Sequence, residues 1–415
     1  MTQINRREFL RGLAWLVAVL PLRELGRVRA LSSRKKRVWS DGPARETDLG
    51  EWAELLRALG KHEGLTVYQE SPFNAGSPLA PLRAAFETPN ELFFARNHAP
   101  VPEIAAAEWC LKVDGLVARP LRLSLADLSR DFPTVELAAT LQCAGNRRRE
   151  MLPDADPGSA VLWGSDAISH GRWTGVRLRD VLRAAGVQEG ARFVAALGRD
   201  EIQKGGRVFG MGGSIPLAKA LGEEVLLATG LNGAPLPPLH GGPLRLLVPG
   251  YIGARSIKWL GQITLQEEPS ENHYQQRAYK VFPPEITSET VDWAQGEMLG
   301  PFRLNSAICT PAPGAQLSAG RQRIAGYAID YEPVAAVELS VDGGRRWREA
   351  ALLGEGQRWS WSFWEREVRL PAGRHELVVR AWDQAGNTQP ATVAEIWNFK
   401  GYFNNSWQRR LVEVV

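Results

Sequence analysis

The chain has 415 residues, 44% of them hydrophobic and 23% charged, which predicts a soluble globular protein long enough for two cored domains. Its formal charge of +4 resides in residues 1–30, where six Arg face two Glu. The remaining 44 basic and 44 acidic residues cancel, so no basic footprint points to nucleic acid.

The first thirty residues read as an export signal. Asn5-Arg6-Arg7-Glu8-Phe9-Leu10-Arg11 has the twin-arginine arrangement, an apolar run follows at 13–22, and Val28-Arg29-Ala30 fits a cleavage site. The run is too short to span a bilayer and contains Pro21, so a periplasmic protein without stable membrane insertion is expected. The twin-arginine route carries folded proteins, which suits a cofactor loaded before export. Three cysteines, Cys110, Cys143 and Cys309, leave at least one thiol unpaired. Cys110 and Cys309 are expected to be inert core residues, with no structural disulfide.

Residues 31–75 are polar and irregular apart from an amphipathic stretch at 52–59. From 80 to 280 strand and helix signals alternate, with a helical stripe at Leu178, Val181, Leu182 and Ala185, an apolar strand at 244–248 and a turn at Asn232-Gly233. Within it, Leu92-Phe93-Phe94-Ala95-Arg96-Asn97-His98 lies between Pro89 and Pro100 and is therefore extended or looped. Period-two spacing of Val135, Leu137, Ala139 and Leu141 predicts a strand that breaks at Cys143-Ala144-Gly145-Asn146. Cys143 reads either as a small buried hydrophobe or as a soft metal ligand. The second reading has Arg147 and Arg148 supplying a positive field that favours the thiolate. Further on, His240-Gly241-Gly242-Pro243-Leu244-Arg245 and Gly253-Ala254-Arg255-Ser256-Ile257-Lys258-Trp259 combine close backbone approach with phosphate donors, or are ordinary turns beside strands. A Pro-, Gly- and acid-rich stretch at 285–300 reads as a linker. Short strands at 324–329, 336–341, 359–363 and 376–381, separated by glycine turns, predict a sandwich over 301–415. Trp359, Trp361 and Phe363 form a stripe expected in the core or at a subunit interface.

In order and internal spacing these stretches, with Pro72-Phe73-Asn74-Ala75 upstream and Trp397-Asn398-Phe399-Lys400-Gly401 downstream, resemble the sulfite oxidase family of molybdopterin oxidoreductases from residue 65 to the C-terminus. The resemblance implies an α+β protein: a mixed α/β molybdopterin domain over 31–284, then an all-β immunoglobulin-like dimerisation domain. It implies Cys143 as the molybdenum ligand and a pterin cradle of Phe94, Arg96, Asn97, His98, Asp200, His240, Arg245, Ser256, Ile257 and Lys258. Arg96, Arg148, Trp163, Tyr279 and Lys400 are implied around the substrate, with Arg96, Arg148 and Tyr279 beside Cys143 in catalysis. Two positions depart from the family pattern. Lys400 stands where relatives usually carry Arg, keeping the charge but losing the two-pronged grip on an oxyanion, and Ala278 precedes Tyr279 where many have Asp.

The implied activity is oxidation of sulfite to sulfate. No Cys-x-x-Cys-His haem attachment occurs, so electrons are expected to leave to an external periplasmic c-type cytochrome. Oxygen is an alternative acceptor, and a homodimer is implied by the resemblance. Two competing readings are an oxotransferase for another small oxyanion such as nitrate, and a non-catalytic binding protein on the same fold.

Overall fold

The computed structural model describes residues 49–152, 160–354 and 356–415. The twin-arginine motif, its apolar run and the cleavage site lie outside the described residues. A unit ending at Gly60 is followed by a larger one, Lys61–Val415. In the first, helix Leu49–Ala58 covers most of the amphipathic stretch. Among the described residues no helix is long and apolar enough to cross a membrane.

The larger unit begins as mixed α/β. One sheet runs in the order Gly212–Pro216, Phe193–Gly198, Leu260–Gln266, Cys110–Gly115, Leu121–Ser124, and only the Leu260–Gln266/Cys110–Gly115 pair is parallel. A parallel pair requires a long crossover. That crossover, 116–259, carries a second sheet ordered Ala234–Pro235, Leu226–Leu231, Ile168–Arg177, Thr134–Gln142, with Arg245–Leu247 also paired to Leu226–Leu231. The helical stripe becomes helix Leu178–Ala185, and its four apolar residues are fully buried, as their spacing on one helix face requires. Asn232 and Gly233 are both left-handed (φ 52° and 74°) and close a two-residue hairpin between Leu231 and Ala234.

From Asn305 onward the regular elements among the described residues are strands apart from one 3₁₀ turn, Val393–Ile396. Eight strands form one sheet in the order Asn305–Thr310, Gly320–Ile329, Ser362–Leu370, Arg348–Leu353, Ala336–Ser340, Gly373–Trp382, Gln408–Val414, Gln316–Leu317. The sheet curls on itself: Ile308 N donates to Gln408 Oε1 at 2.6 Å, and Ile308, Trp364, Val337, Leu377, Val379 and Val412 share one core. Strand Gln408–Val414 alternates buried and exposed along its whole length, the signature of one face turned inward.

Three expectations are corrected. The strand expected at 359–363 is Ser362–Leu370, because Trp359 turns left-handed (φ 70°) before it. The aromatic stripe is buried, as expected, and lies at the seam between the α/β region and the curled sheet, where Thr140 N donates to Trp359 O (2.8 Å) and Trp361 N to Thr140 Oγ1 (2.9 Å). The stretch read as a linker folds back: Glu297–Met298 pairs with Lys280–Val281, and Trp293 packs edge-on against Phe282 at 5.6 Å. Cys110 is only partly buried, and its Sγ accepts from Arg122 Nη2 at 3.3 Å, whereas Cys309 is buried; all three thiols are free.

Candidate active site

Strand Thr134–Gln142 ends one residue before Cys143 and delivers it to a pinned loop. Cys143 N donates to Ala167 O (2.9 Å), Asn146 N to Cys143 O (3.0 Å) and Gly145 N to the Cys143 Sγ (3.4 Å). Asn146 Oδ1 accepts from Ala167 N (3.0 Å) while its Nδ2 donates to the Tyr327 hydroxyl (2.8 Å), which donates on to Ser165 O (2.9 Å). A Cβ at Gly145 would stand 2.6 Å from Arg148 Nη2, so a side chain there would displace that guanidinium. The two arginines part company. Arg147 is left-handed (φ 64°) and fully buried, pairing with Glu150 at 2.6 Å and donating to Asn305 Oδ1 and Ser406 O at 2.8 Å. This corrects the expectation that both guanidinium groups face the thiol; Arg147 ties the loop to the curled sheet.

Cys143 opens into a partly enclosed cavity. Phe94, Arg96, Asn97, His98, Asp200, His240, Arg245, Ser256, Ile257, Lys258 and Tyr279 all line it. The 92–98 segment reaches the wall because Ala95 exchanges both backbone bonds with Ala75 (3.0 and 2.8 Å) and Asn97 N donates to Asn74 Oδ1 (2.8 Å). Asn97 spends its own amide internally, giving Nδ2 to Phe73 O (2.6 Å) and accepting Lys258 Nζ (2.6 Å) on Oδ1, so it positions the lysine. Lys258 is held well below its usual pKa, first by burial and then by Arg245 and Lys61. Burial alone pulls Arg245 down to about 9.

Buried polar atoms without partners mark what this wall is shaped for. Arg245 Nε and Asp200 Oδ2 are both sealed from water and unpartnered. An unmatched buried polar group is costly unless a guest satisfies it. Asp200 Oδ1 takes Met211 N (2.9 Å), which leaves its other oxygen as an acceptor for ring or amino N–H groups. Arg245, Lys258 and His240 supply donors for a phosphate. An acceptor at one point, cations at another and a thiol between them fit a phosphorylated pterin carrying a thiophilic metal.

The substrate set forms a second tier. Arg96 and Tyr279 line the cavity, but Arg148, Trp163 and Lys400 do not. Arg148 donates from Nη1 to Val161 O (2.9 Å) and from Nε to Gly401 O (3.2 Å), with its Cζ 4.7 Å from the Tyr402 ring. Tyr402 stacks on Tyr279 (5.4 Å, 25°), and Lys400 Nζ lies 5.8 Å from Tyr402 and 5.5 Å from Trp293. Burial, Arg148 and Lys204 bring Lys400 down to about 8. Trp163 is sealed against Tyr68 (4.7 Å) with its indole N–H unpartnered. His98 Nε2 and the Tyr279 hydroxyl share a 2.9 Å hydrogen bond. Burial raises the Tyr279 pKa well above its usual value, against the pull of Arg96. Lys61, Tyr402 and Met211 were missed in the sequence. Tyr402 had a signal in its position two residues after Lys400, whereas Lys61 had none.

Comparisons with known proteins give the family. The family described as "Oxidoreductase molybdopterin binding domain" matches residues 98–274, and "Mo-co oxidoreductase dimerisation domain" matches 298–415. The sulfite oxidase of Gallus gallus is 42% identical over 361 residues, covering 84% of this chain and 78% of that one. The mitochondrial sulfite oxidase of Homo sapiens is 43% identical over 362 residues, and this chain spans 66% of its length. The crystal structure of the sulfane dehydrogenase from Paracoccus pantotrophus superposes with a TM-score of 0.73 at 24% identity, over 92% of this chain and 96% of that chain, a likeness of fold.

Proposed function

Because this chain belongs to the sulfite oxidase family of molybdopterin oxidoreductases, we propose that it is a periplasmic dehydrogenase that oxidises sulfite to sulfate and passes the electrons to an external acceptor such as a c-type cytochrome. The observation that carries this reading is Cys143, a thiol held by a braced loop and opening into a cavity walled by unpartnered donors and acceptors. When bound, the molybdenum–pterin group supplies the oxygen-atom and two-electron chemistry. Cys143 is its protein ligand; Arg245, Lys258, His240, Ser256 and Asp200 hold its phosphate and ring.

The chain's own residues do the rest. An oxyanion surrenders its water on entering, which is costly unless charge replaces it. Arg96 stands in the cavity wall, with Arg148 and Lys400 gathered behind it on the Tyr402 ring. Tyr279, kept neutral by burial and bonded to His98, offers a phenolic proton to a substrate oxygen. The twin-arginine motif at residues 5–11 supports export, and the dimerisation-domain match over 298–415 supports a homodimer.

The test is sulfite-dependent reduction of cytochrome c by exported protein of known molybdenum and pterin content. Nitrate turnover without sulfite turnover would reject the substrate, and native protein lacking both molybdenum and pterin would favour a non-catalytic binding role.

A further inference from the structure

Lys61 lies outside every motif, yet its ammonium is buried against the cavity wall. It reaches Asn90 O at 2.5 Å, Phe93 O at 2.9 Å and His240 Nε2 at 2.7 Å. An ammonium has three donors and no acceptor. Two donors go to carbonyl oxygens, so the third requires His240 Nε2 to be the bare, accepting nitrogen. The ring is then neutral with its proton on Nδ1, which has no protein partner among the described residues. The neighbourhood enforces this state: burial, then Lys61, Lys258 and Arg245, hold His240 well below its usual pKa. Burial, partly offset by Glu91, leaves Lys61 at about 7, so at pH 6 it is mostly the ammonium. Phe93, edge-on to the ring at 5.3 Å, contributes one of the two carbonyls, so the same short segment grips both the lysine and the imidazole.

We propose that Lys61 is a positioning residue that fixes His240 as the Nδ1–H tautomer, making that N–H the hydrogen-bond donor offered to the bound pterin group. The role rests on the cofactor reading above and adds to it a residue that touches no guest itself. It resembles the outer partners that orient metal-bound histidines, whose loss typically weakens binding by about 10–100-fold.

The direct test is nitrogen-15 NMR of the histidine rings in the native holoprotein at pH 6, with His240 assigned by loss of its signals in His240→Gln. The chain has only six histidines. A pyrrole-type Nδ1 and an accepting Nε2 are expected, and a protonated Nε2 overturns the proposal. In Lys61→Met, checked for folding by circular dichroism, the ring should become a tautomer mixture and bound pterin should be retained about tenfold less well. Lys61→Arg should restore both. A folded Lys61→Met protein with an unchanged ring spectrum and unchanged pterin retention also overturns it. Native protein carrying no pterin at all would instead count against the proposed function, while the proton position on His240 remains readable in it.

Discussion

The inner wall of the cavity and the outer tier of cations carry the same charge by different means. Inside, Lys258 and Arg245 are buried and held by oxygens at fixed distances: Asn97 Oδ1 and Leu239 O for the lysine, His240 O for the arginine. Outside, Arg148 is also held by oxygens, Val161 O and Gly401 O, but Lys400 has only aromatic faces among the described residues: Tyr402 at 5.8 Å, Trp293 at 5.5 Å and Phe399 at 6.0 Å. Hydrogen bonds to fixed oxygens define one geometry and suit a guest that stays. A π-face holds a cation such as Lys400 loosely in angle, which suits a ligand that arrives and leaves.

Substitutions should separate these two behaviours. Cys143→Ser is expected to abolish sulfite turnover with the fold retained; near-normal activity would remove the thiol from the chemistry altogether. Lys258→Met should weaken cofactor retention by up to about a hundredfold, from the loss of a charged hydrogen bond of about 1.5–3 kcal/mol, read as pterin released on dialysis. Arg148→Gln should raise the Michaelis constant for sulfite by roughly ten- to a hundredfold on the same arithmetic while leaving pterin content unchanged. Its neighbour provides the control: Arg147→Ala should cost about 3 kcal/mol of stability in urea unfolding and alter the Michaelis constant little. The smallest effect concerns pH. Lys400 is charged below about 8 and loses its proton above it, so the Michaelis constant should climb as pH rises through that value. Lys400→Arg should delay the climb; identical profiles in the two proteins would take Lys400 out of substrate binding.

Much of the inner wall was legible in the sequence because it is built from contiguous motifs. Segments 240–245 and 253–259 bring their own glycines, 92–98 lies between Pro89 and Pro100, and each carries its own donors, so local pattern and final position agree. The outer tier was less legible because its members meet only through tertiary contacts. Arg148 and Lys400 are joined by Gly401 O and Tyr402, a meeting set by the seam between the two regions. Arg147 and Arg148 look equivalent as letters, and one left-handed backbone angle sends them in opposite directions. Lys61 carries no motif at all, because its role is defined by two carbonyls and a ring 179 positions away. For the fold, helix Leu178–Ala185 and the Asn232-Gly233 hairpin follow from local spacing and turn chemistry. The curl of the eight-stranded sheet depends on Gln408 reaching back to Ile308, which no local pattern records.

One phenol ties the two regions together in space. The Tyr327 hydroxyl accepts a hydrogen bond from Asn146 Nδ2 and donates one to Ser165 O, bracing both sides of the thiol loop from a strand of the curled sheet. A shuffled gene that joined this catalytic region to an unrelated β-module would keep every cofactor motif and still lose that brace. Inheritance of the two modules as a single block is the arrangement such a linkage rewards.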